Sequence, residues 1–159
     1  MAYMKFVGKQ DIAKYKDMDS FKDVINYITN PTKAISIGFA NVSSPEAAPA
    51  EMEAVSMQGR KSSGKKLCHI VITFSHKELQ WISRTTMDGI ANTCLQYFSS
   101  RYQAVYAVHA CSHEHIHLVF NRVSPFDFKR YPDRYEDRNL FWMFLYHLLS
   151  NYNIQLWKN

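Results

Sequence analysis

Two strand-like segments joined by a very short connection constrain the fold of this chain more than any other feature. The segments are YQAVYAVHA (102–110) and HIHLVFNRV (115–123), and only a few residues separate them. A connection this short joins antiparallel neighbours, because parallel neighbours need a crossover of a dozen or more residues. With helices between the other strands, this pair predicts an α+β sandwich with an antiparallel central sheet and argues against a doubly wound parallel sheet.

The first helix is predicted from apolar residues that recur at helical spacing in SFKDVINYIT (20–29). We expect Asp17 or Asp19 to cap this helix and Asn30-Pro31 to end it.

The remaining elements follow from the same kind of pattern. We expect strands at 33–42 and 67–74, and helices that begin near Pro49, that run through 75–101 with Gly89 as a weak point, and that cover 139–152. The last of these, NLFWMFLYHLLSNY, is apolar nearly all the way round, which predicts that it is buried or meets a partner surface.

Length and composition indicate the class of protein. A chain of 159 residues with 47% hydrophobic residues suits one domain, so we expect residues 1–159 to form a single unit. Three cysteines without a CxxC pair, and an N-terminus without the apolar core of a signal peptide, indicate a reducing cytoplasm. The longest apolar run, at 140–149, is too short to span a membrane, so we expect no membrane insertion.

A net charge of +5 favours a polyanionic partner such as nucleic acid. The stretch GRKSSGKK (59–66) concentrates Arg60, Lys61, Lys65 and Lys66 in a Gly/Ser-rich segment that should be a loop. The loop is either a contact for phosphates or an ordinary solvated loop.

Histidines are concentrated between positions 108 and 123, in VHACSHEHIHLVFNRV. Strand periodicity places His115 and His117 on one face, where two imidazoles can coordinate one cation. His109 on the preceding strand is the expected third ligand, and His113 in the turn is the alternative. The cofactor is then a divalent ion, Mg²⁺ or Mn²⁺, although Zn²⁺ or Ni²⁺ could occupy the same site.

The segment HEHIHLVFNRV resembles the histidine motif of the HUH endonucleases. Together with INYITNPTKA near the N-terminus, it is similar to the conjugative relaxases, or mobilization nucleases, of bacterial plasmids and integrative elements, in the P-type branch. The resemblance implies a bacterial cytoplasm. The resemblance runs from about residue 20 to 123 with three motifs in the family's order. It implies that Tyr27 is the DNA-cleaving nucleophile and that Thr73, in HIVITF, contacts DNA near the nick.

The resemblance implies a function as well as a site. We expect the chain to nick and rejoin one DNA strand at a plasmid or integrative-element transfer origin, through a 5′-phosphotyrosine. Lys33, the basic loop and Arg122 are expected to hold single-stranded DNA, and accessory mobilization proteins are possible partners. The chain would be a nuclease domain trimmed from a longer relaxase, or a minimal one.

Three alternatives stay open. In replication initiators and transposases of the same superfamily the tyrosine follows the histidine motif, where this chain has Tyr131, Tyr135, Tyr146 and Tyr152. The other two alternatives are a non-catalytic DNA-binding module and a metal-dependent hydrolase that uses water as the nucleophile.

Overall fold

The computed structural model describes residues 1–8, 14–60 and 63–157, which form five strands and five helices. The strands are β1 (Tyr3–Phe6), β2 (Ala34–Ala40), β3 (Leu67–Thr73), β4 (Ala104–His109) and β5 (His115–Asn121). The helices are α1 (Asp19–Ile28), α2 (Ala48–Gln58), α3 (His76–Leu79), α4 (Arg84–Ser99) and α5 (Tyr135–Ser150). Within these described residues, no helix is both long and apolar enough to cross a membrane.

All five strands belong to one antiparallel sheet in the order β1-β3-β5-β4-β2. The predicted α+β class with an antiparallel central sheet is therefore confirmed, and β4 and β5 are the neighbours that the short connection implied. The strand β5 lies at the centre, with β3 and β4 on either side of it. Its position explains why every residue of β5 after His115 is buried, because both faces of a central strand are covered.

Helices cover the two faces of the sheet and form two separate apolar clusters. On the α4/α5 face, helix residues such as Phe98 and Leu145 share a cluster with Leu118 of β5. On the α1/α2 face, Ile25 and other helix residues share a cluster with Val119. Side chains of β5 therefore alternate between the two clusters, and this alternation decides which face the histidines occupy.

The cap predicted for α1 is wrong. Met18 is the N-cap residue and makes no side-chain capping hydrogen bond. Asp17 precedes it, and its carbonyl oxygen accepts the Ser20 amide at 3.1 Å. Asp19 is the first helical residue, where a carboxylate favours the helix through the dipole instead of through a cap. The predicted end of the helix is correct, because α1 stops at Ile28.

The single helix predicted over 75–101 is also wrong, because the segment forms the two helices α3 and α4. Ser75 and Glu78 cap α3 reciprocally, and the Ser83 hydroxyl accepts the Thr86 amide at 3.0 Å to begin α4. The helical segment is therefore interrupted before this second serine cap, whereas Gly89 lies inside α4 and does not interrupt it.

Two further elements differ from prediction at the ends of the chain. The strand β1 was not predicted, because four residues at a sheet edge are too few to show an alternating pattern. The helix α5 begins at Tyr135, because Asp137 accepts the Arg134 amide at 3.0 Å. Its side chains range from buried at Phe141 to exposed at Leu140, so one face packs on the sheet and the other does not.

We expect Gly38→Ala to lower the free energy of unfolding by about 1–3 kcal/mol, as overpacking does. A Cβ at position 38 would overlap the Tyr106 ring. That ring cannot move aside easily, because its hydroxyl donates to Asp88 at 2.6 Å and the residue is buried. Urea denaturation measures the change.

The matched control is Gly89→Ala, where nothing lies within 4 Å of the added Cβ. Alanine is the better helix former, so this variant should be more stable by up to about 1 kcal/mol. Equal unfolding midpoints for both variants would contradict the close approach of β2 to Tyr106.

Candidate active site

Three neighbouring strands bring four histidines to the α1/α2 face of the sheet. His109 on β4 lies directly opposite His115 on β5, and His117 follows two residues later on the same face. His69 on β3 completes the group from the other side of β5, and its Nε2 is 2.8 Å from Nδ1 of His117. The sequence predicted the first three as a group, but His69 was missed.

Backbone carbonyls hold two of these imidazoles in defined tautomers. Nε2 of His109 lies 2.7 Å from the carbonyl oxygen of Ile28, and Nδ1 of His115 lies 2.6 Å from the carbonyl oxygen of His113. A carbonyl oxygen only accepts, so each of these ring nitrogens carries a hydrogen and donates it. The lone pairs of His109 Nδ1 and His115 Nε2 remain available.

The three histidines His109, His115 and His117 can hold one metal ion. Their candidate ligand nitrogens all lie within 4.8 Å of one another. Nε2 of His115 is 2.9 Å from Nε2 of His117. Two nitrogens bonded to one ion at about 2.1 Å each are separated by about 3 Å when the bonds meet at right angles, so this pair fits a shared ion.

Burial keeps His69, His109 and His117 in the neutral form of imidazole, which is the form that binds metals. Desolvation lowers the pKa of His69 to about 4, and it is also the main reason that the pKa values of His117 and His109 are lowered. Neighbouring histidines add to the shift, because positive charges on adjacent rings repel. Neutral imidazole is the ligand form, so the rings need not lose a proton before they bind a cation.

His113 does not join this group in the structure. Its side chain is exposed, and its ring lies 4.7 Å from the ring of His76, centre to centre. Its carbonyl group, not its imidazole, contacts His115.

Tyr27 lies in the last turn of α1 with its ring against the histidines. The ring centre is 5.6 Å from that of His117 and 5.9 Å from that of His109, both edge-on. The helix buries Val24 and Ile28 but leaves Tyr27 at the border of this buried stripe, 48% exposed. The phenol therefore contacts the cluster on one side and water on the other.

Lys33 and Thr73, two of the predicted DNA contacts, lie beside this cluster. The Lys33 ammonium nitrogen is 5.0 Å from the centre of the Tyr27 ring, and the Lys33 carbonyl oxygen accepts the Ala110 amide at 3.1 Å just after β4. Thr73 lies opposite His115 in the β3/β5 pair.

The other predicted DNA contacts lie at the opposite end of the sheet. The β3/β5 pair runs from Thr73 and His115 at one end to Leu67 and Asn121 at the other, about 20 Å away at roughly 3.4 Å per residue. The described members of the group at this far end are Arg60, Lys65, Lys66 and Arg122. Lys61 was predicted with them and falls outside the described residues.

Several of these basic residues take part in contacts within the chain. Arg122 donates to the carbonyl oxygen of Tyr131 at 3.0 Å, and the Lys65 ammonium donates to the carbonyl oxygen of Gly8. Lys66 is buried, whereas Arg60 is exposed.

The tyrosines that follow the histidine motif are placed differently from Tyr27. Tyr131 is buried in the cluster on the α4/α5 face. Tyr135 and Tyr146 are exposed on α5, and Tyr152 follows that helix. The histidines lie on the α1/α2 face, so the sheet separates them from α5. On the histidine side, Tyr15 joins Tyr27, with its hydroxyl oxygen 3.0 Å from Nδ1 of His69.

Comparison with known proteins gives one family match and two solved structures with the same fold. The family model for the relaxase nuclease domain of the MobA/VirD2-like type matches residues 27–153. A solved structure of the MobM relaxase domain bound to 26 nucleotides of pMV158 oriT DNA superposes with a TM-score of 0.62 and 12% identity, over 100% of this chain and 90% of that one. A second, Mn-bound structure of that domain on pMV158 oriT DNA gives 0.58 and 12%, over 100% and 89%. At this identity the solved structures establish the fold alone. No curated protein matches the sequence significantly.

We expect His115→Ala or His117→Ala to weaken Mn²⁺ binding by more than the roughly 10–100-fold that follows loss of an outer-shell partner, because each removes a direct ligand. Titration calorimetry measures the affinity. His109→Ala should have a comparable effect and His113→Ala little, since only His109 has a ring nitrogen in the cluster. The exposed His147→Ala is the matched control, and binding that depends on His113 instead of His109 would contradict the assignment.

Proposed function

Because the chain belongs to the MobA/VirD2-like relaxase family, we propose that it nicks and rejoins one strand of DNA at a transfer origin, with Tyr27 as the nucleophile. In this proposal His109, His115 and His117 hold a divalent cation, and single-stranded DNA is the substrate. The MobM domain that shares the fold was solved on oriT DNA, which supports a substrate of the same kind.

The observation that carries the proposal is the contact between Tyr27 and the histidines. The ring lies edge-on to both His117 and His109 while almost half of the residue stays accessible to solvent. A nucleophile needs both the contact with the histidines and the exposure to solvent. It must be accessible to a substrate that arrives from solution, and it must attack at the place where the charge of the phosphate is neutralised. Tyr146 and Tyr152 are similarly exposed, but they do not lie beside the histidines of the α1/α2 face.

The chemistry is a transesterification in which one phosphodiester bond replaces another. When bound, a divalent cation neutralises negative charge on the non-bridging oxygens of the scissile phosphate. The Tyr27 hydroxyl oxygen bonds to phosphorus as the P–O3′ bond breaks, which leaves a 5′ phosphate on Tyr27 and a free 3′ hydroxyl. The phenol loses its proton to water and the departing oxygen gains one. The reverse reaction rejoins the strand.

Residues beside the cluster would position the phosphate. Lys33 is exposed and holds its ammonium group next to the Tyr27 ring, where it can pair with a phosphate oxygen. Thr73 lies opposite His115, and its hydroxyl can donate a hydrogen bond to a phosphate of the DNA backbone near the nick. Arg60 and the other described basic residues of the far end would contact DNA about 20 Å from the nick.

Among the candidate metals we propose Mn²⁺. Imidazole nitrogens are poor ligands for Mg²⁺, which prefers oxygen and retains its water, whereas Mn²⁺ accepts both kinds of donor. One of the similar MobM structures is Mn-bound. Zn²⁺ and Ni²⁺ bind imidazole more tightly, so they should occupy the site in metal-exchange experiments.

We expect Tyr27→Phe to lower cleavage of single-stranded origin DNA by roughly 1,000-fold or more, because it removes the attacking oxygen and keeps the ring. The measurement is a denaturant-resistant protein–DNA adduct, with the phosphate mapped to a peptide. Mn²⁺ uptake should stay within about twofold of the parent, since Tyr27 is not a ligand.

Tyr146→Phe is the matched control and should cleave at the parental rate. An adduct mapped to Tyr131, Tyr135, Tyr146 or Tyr152 would instead support an initiator-like enzyme. Cleavage without any adduct would support a hydrolase that uses water, and DNA binding without cleavage would support a non-catalytic module.

We expect Lys33→Met to weaken single-stranded DNA binding to a similar degree for every sequence. The slope of log affinity against log salt concentration should fall by about 0.7, the value for one phosphate contact on a single strand. Fluorescence anisotropy at several salt concentrations measures it. Lys129→Met, an exposed lysine beyond the far end of β5, should leave the slope unchanged. An unchanged slope in Lys33→Met would remove Lys33 from the DNA contacts.

A further inference from the structure

His69 is the one histidine of the four on the α1/α2 face that lies outside the candidate metal-binding set. It is buried, and both of its ring nitrogens have partners. Nε2 lies 2.8 Å from Nδ1 of His117, and Nδ1 lies 3.0 Å from the hydroxyl oxygen of Tyr15. Tyr15, His69 and His117 thus form a continuous hydrogen-bonded chain that ends at a candidate ligand.

Hydrogens can run along this chain in two directions. In one, the Tyr15 hydroxyl donates to His69, His69 donates to His117, and Nε2 of His117 carries a hydrogen that points at His115. In the other, Nδ1 of His117 donates to His69, and Nδ1 of His69 donates to the Tyr15 oxygen. Both directions contain the same number of hydrogens on neutral rings. Only the second leaves the lone pair of His117 Nε2 free for a cation.

We infer that His69 and Tyr15 are positioning residues, which accept the Nδ1 hydrogen of His117 in relay and thereby hold its Nε2 lone pair on the metal ion. This inference rests on the proposed metal site. It assigns to His69 the outer-shell role that a carboxylate or carbonyl usually plays for a metal-binding histidine. His109 and His115 use carbonyls for the same purpose, so each of the three ligands has its own partner.

Surrounding contacts hold the backbone of Tyr15 in an unfavourable conformation. Its φ of 66° lies in the left-handed region, which a bulky aromatic residue rarely adopts. Its carbonyl oxygen accepts the Lys66 amide at 2.6 Å, so the backbone is tied to the start of β3. The ring packs against the apolar cluster of the α1/α2 face with its hydroxyl directed at His69. Unfavourable backbone geometry of this kind persists where surrounding contacts maintain it, often at functional sites.

The first test is the affinity for Mn²⁺ alone, measured by calorimetry. His69→Leu keeps the volume and removes the acceptor, and should weaken binding about 10–100-fold. His69→Gln offers an amide oxygen near the position of Nε2 and should recover most of the loss. Tyr15→Phe removes only the hydroxyl and should weaken binding less than His69→Leu. His147→Leu, on the exposed face of α5, is the matched control and should bind as the parent does.

The second test locates the hydrogens by nitrogen-15 NMR of histidine-labelled protein saturated with Zn²⁺, which is diamagnetic. We expect the hydrogen of His69 and that of His117 to lie on Nδ1 in the metal-bound parent. A purely structural role for His69 would not require either tautomer. If His69→Leu does not fold, the tautomer of His69 in the parent and in Tyr15→Phe still decides the question.

Two results would overturn the inference: His69→Leu binding Mn²⁺ within twofold of the parent, or a metal-bound parent with the His69 hydrogen on Nε2. Neither depends on cleavage. A parent that binds metal through the relay but forms no adduct would instead refute the proposed function alone. A parent that takes up neither Mn²⁺ nor Zn²⁺ would refute both.

Discussion

One hydrogen bond, from Nε2 of His109 to the carbonyl oxygen of Ile28, connects the two halves of the candidate active site. The last carbonyl groups of a helix have no partner within it, and His109 supplies a partner for one of these groups at the end of α1. The same bond directs the other nitrogen of His109 toward His115 and His117. Tyr27 immediately precedes Ile28, so the ring that can bind metal and the turn that carries the phenol are held together.

This connection depends on the register of β4 and β5. His109 and His115 lie opposite each other, and a slip of one residue would turn one of them to the α4/α5 face. The apolar partners prevent such a slip. Leu118 and Phe120 enter the α4/α5 cluster, and a slip would bury histidines there in place of them. Packing on the α4/α5 face of the sheet therefore determines the geometry of the histidines on the α1/α2 face.

The same alternation explains what could be predicted from the sequence. His115 and His117 share a face because they are two residues apart on one strand, and His109 follows from the short connection to its neighbour. His69 depends on β3 pairing with β5, a contact between strands about 50 residues apart that no local pattern reveals. The sequence did contain a signal for His69, because His69 and Thr73 are an even number of residues apart and therefore lie on the same face of β3. Using that signal requires knowing that β3 pairs with β5.

Two other errors have different causes. The break between α3 and α4 depends on side-chain hydrogen bonds of Ser75 and Ser83, which compete with a helical pattern that continues through them. The basic residues of the 59–66 loop were grouped with Lys33 by charge alone. Charge does not indicate the end of a strand at which a loop will lie, and the described residues of this loop precede β3 at the end opposite the histidines.

The candidate metal ligands and the phenol of Tyr27 differ in how deeply they are buried. His109 and His117 are 1% and 4% exposed, so their rings are fixed by packing and by hydrogen bonds before any ion or substrate arrives. Tyr27 is 48% exposed and fixed on one side only. A metal-binding set gains from rigidity, because ordering flexible ligands opposes binding. In the proposed reaction, the phenol stays attached to DNA and later transfers the strand back, so it would need room on its open side. The border position of Tyr27 on α1 provides that room, and Lys33 supplies positive charge at its edge. In the proposed reaction, DNA should therefore reach Tyr27 on the side of the ring that is exposed to solvent.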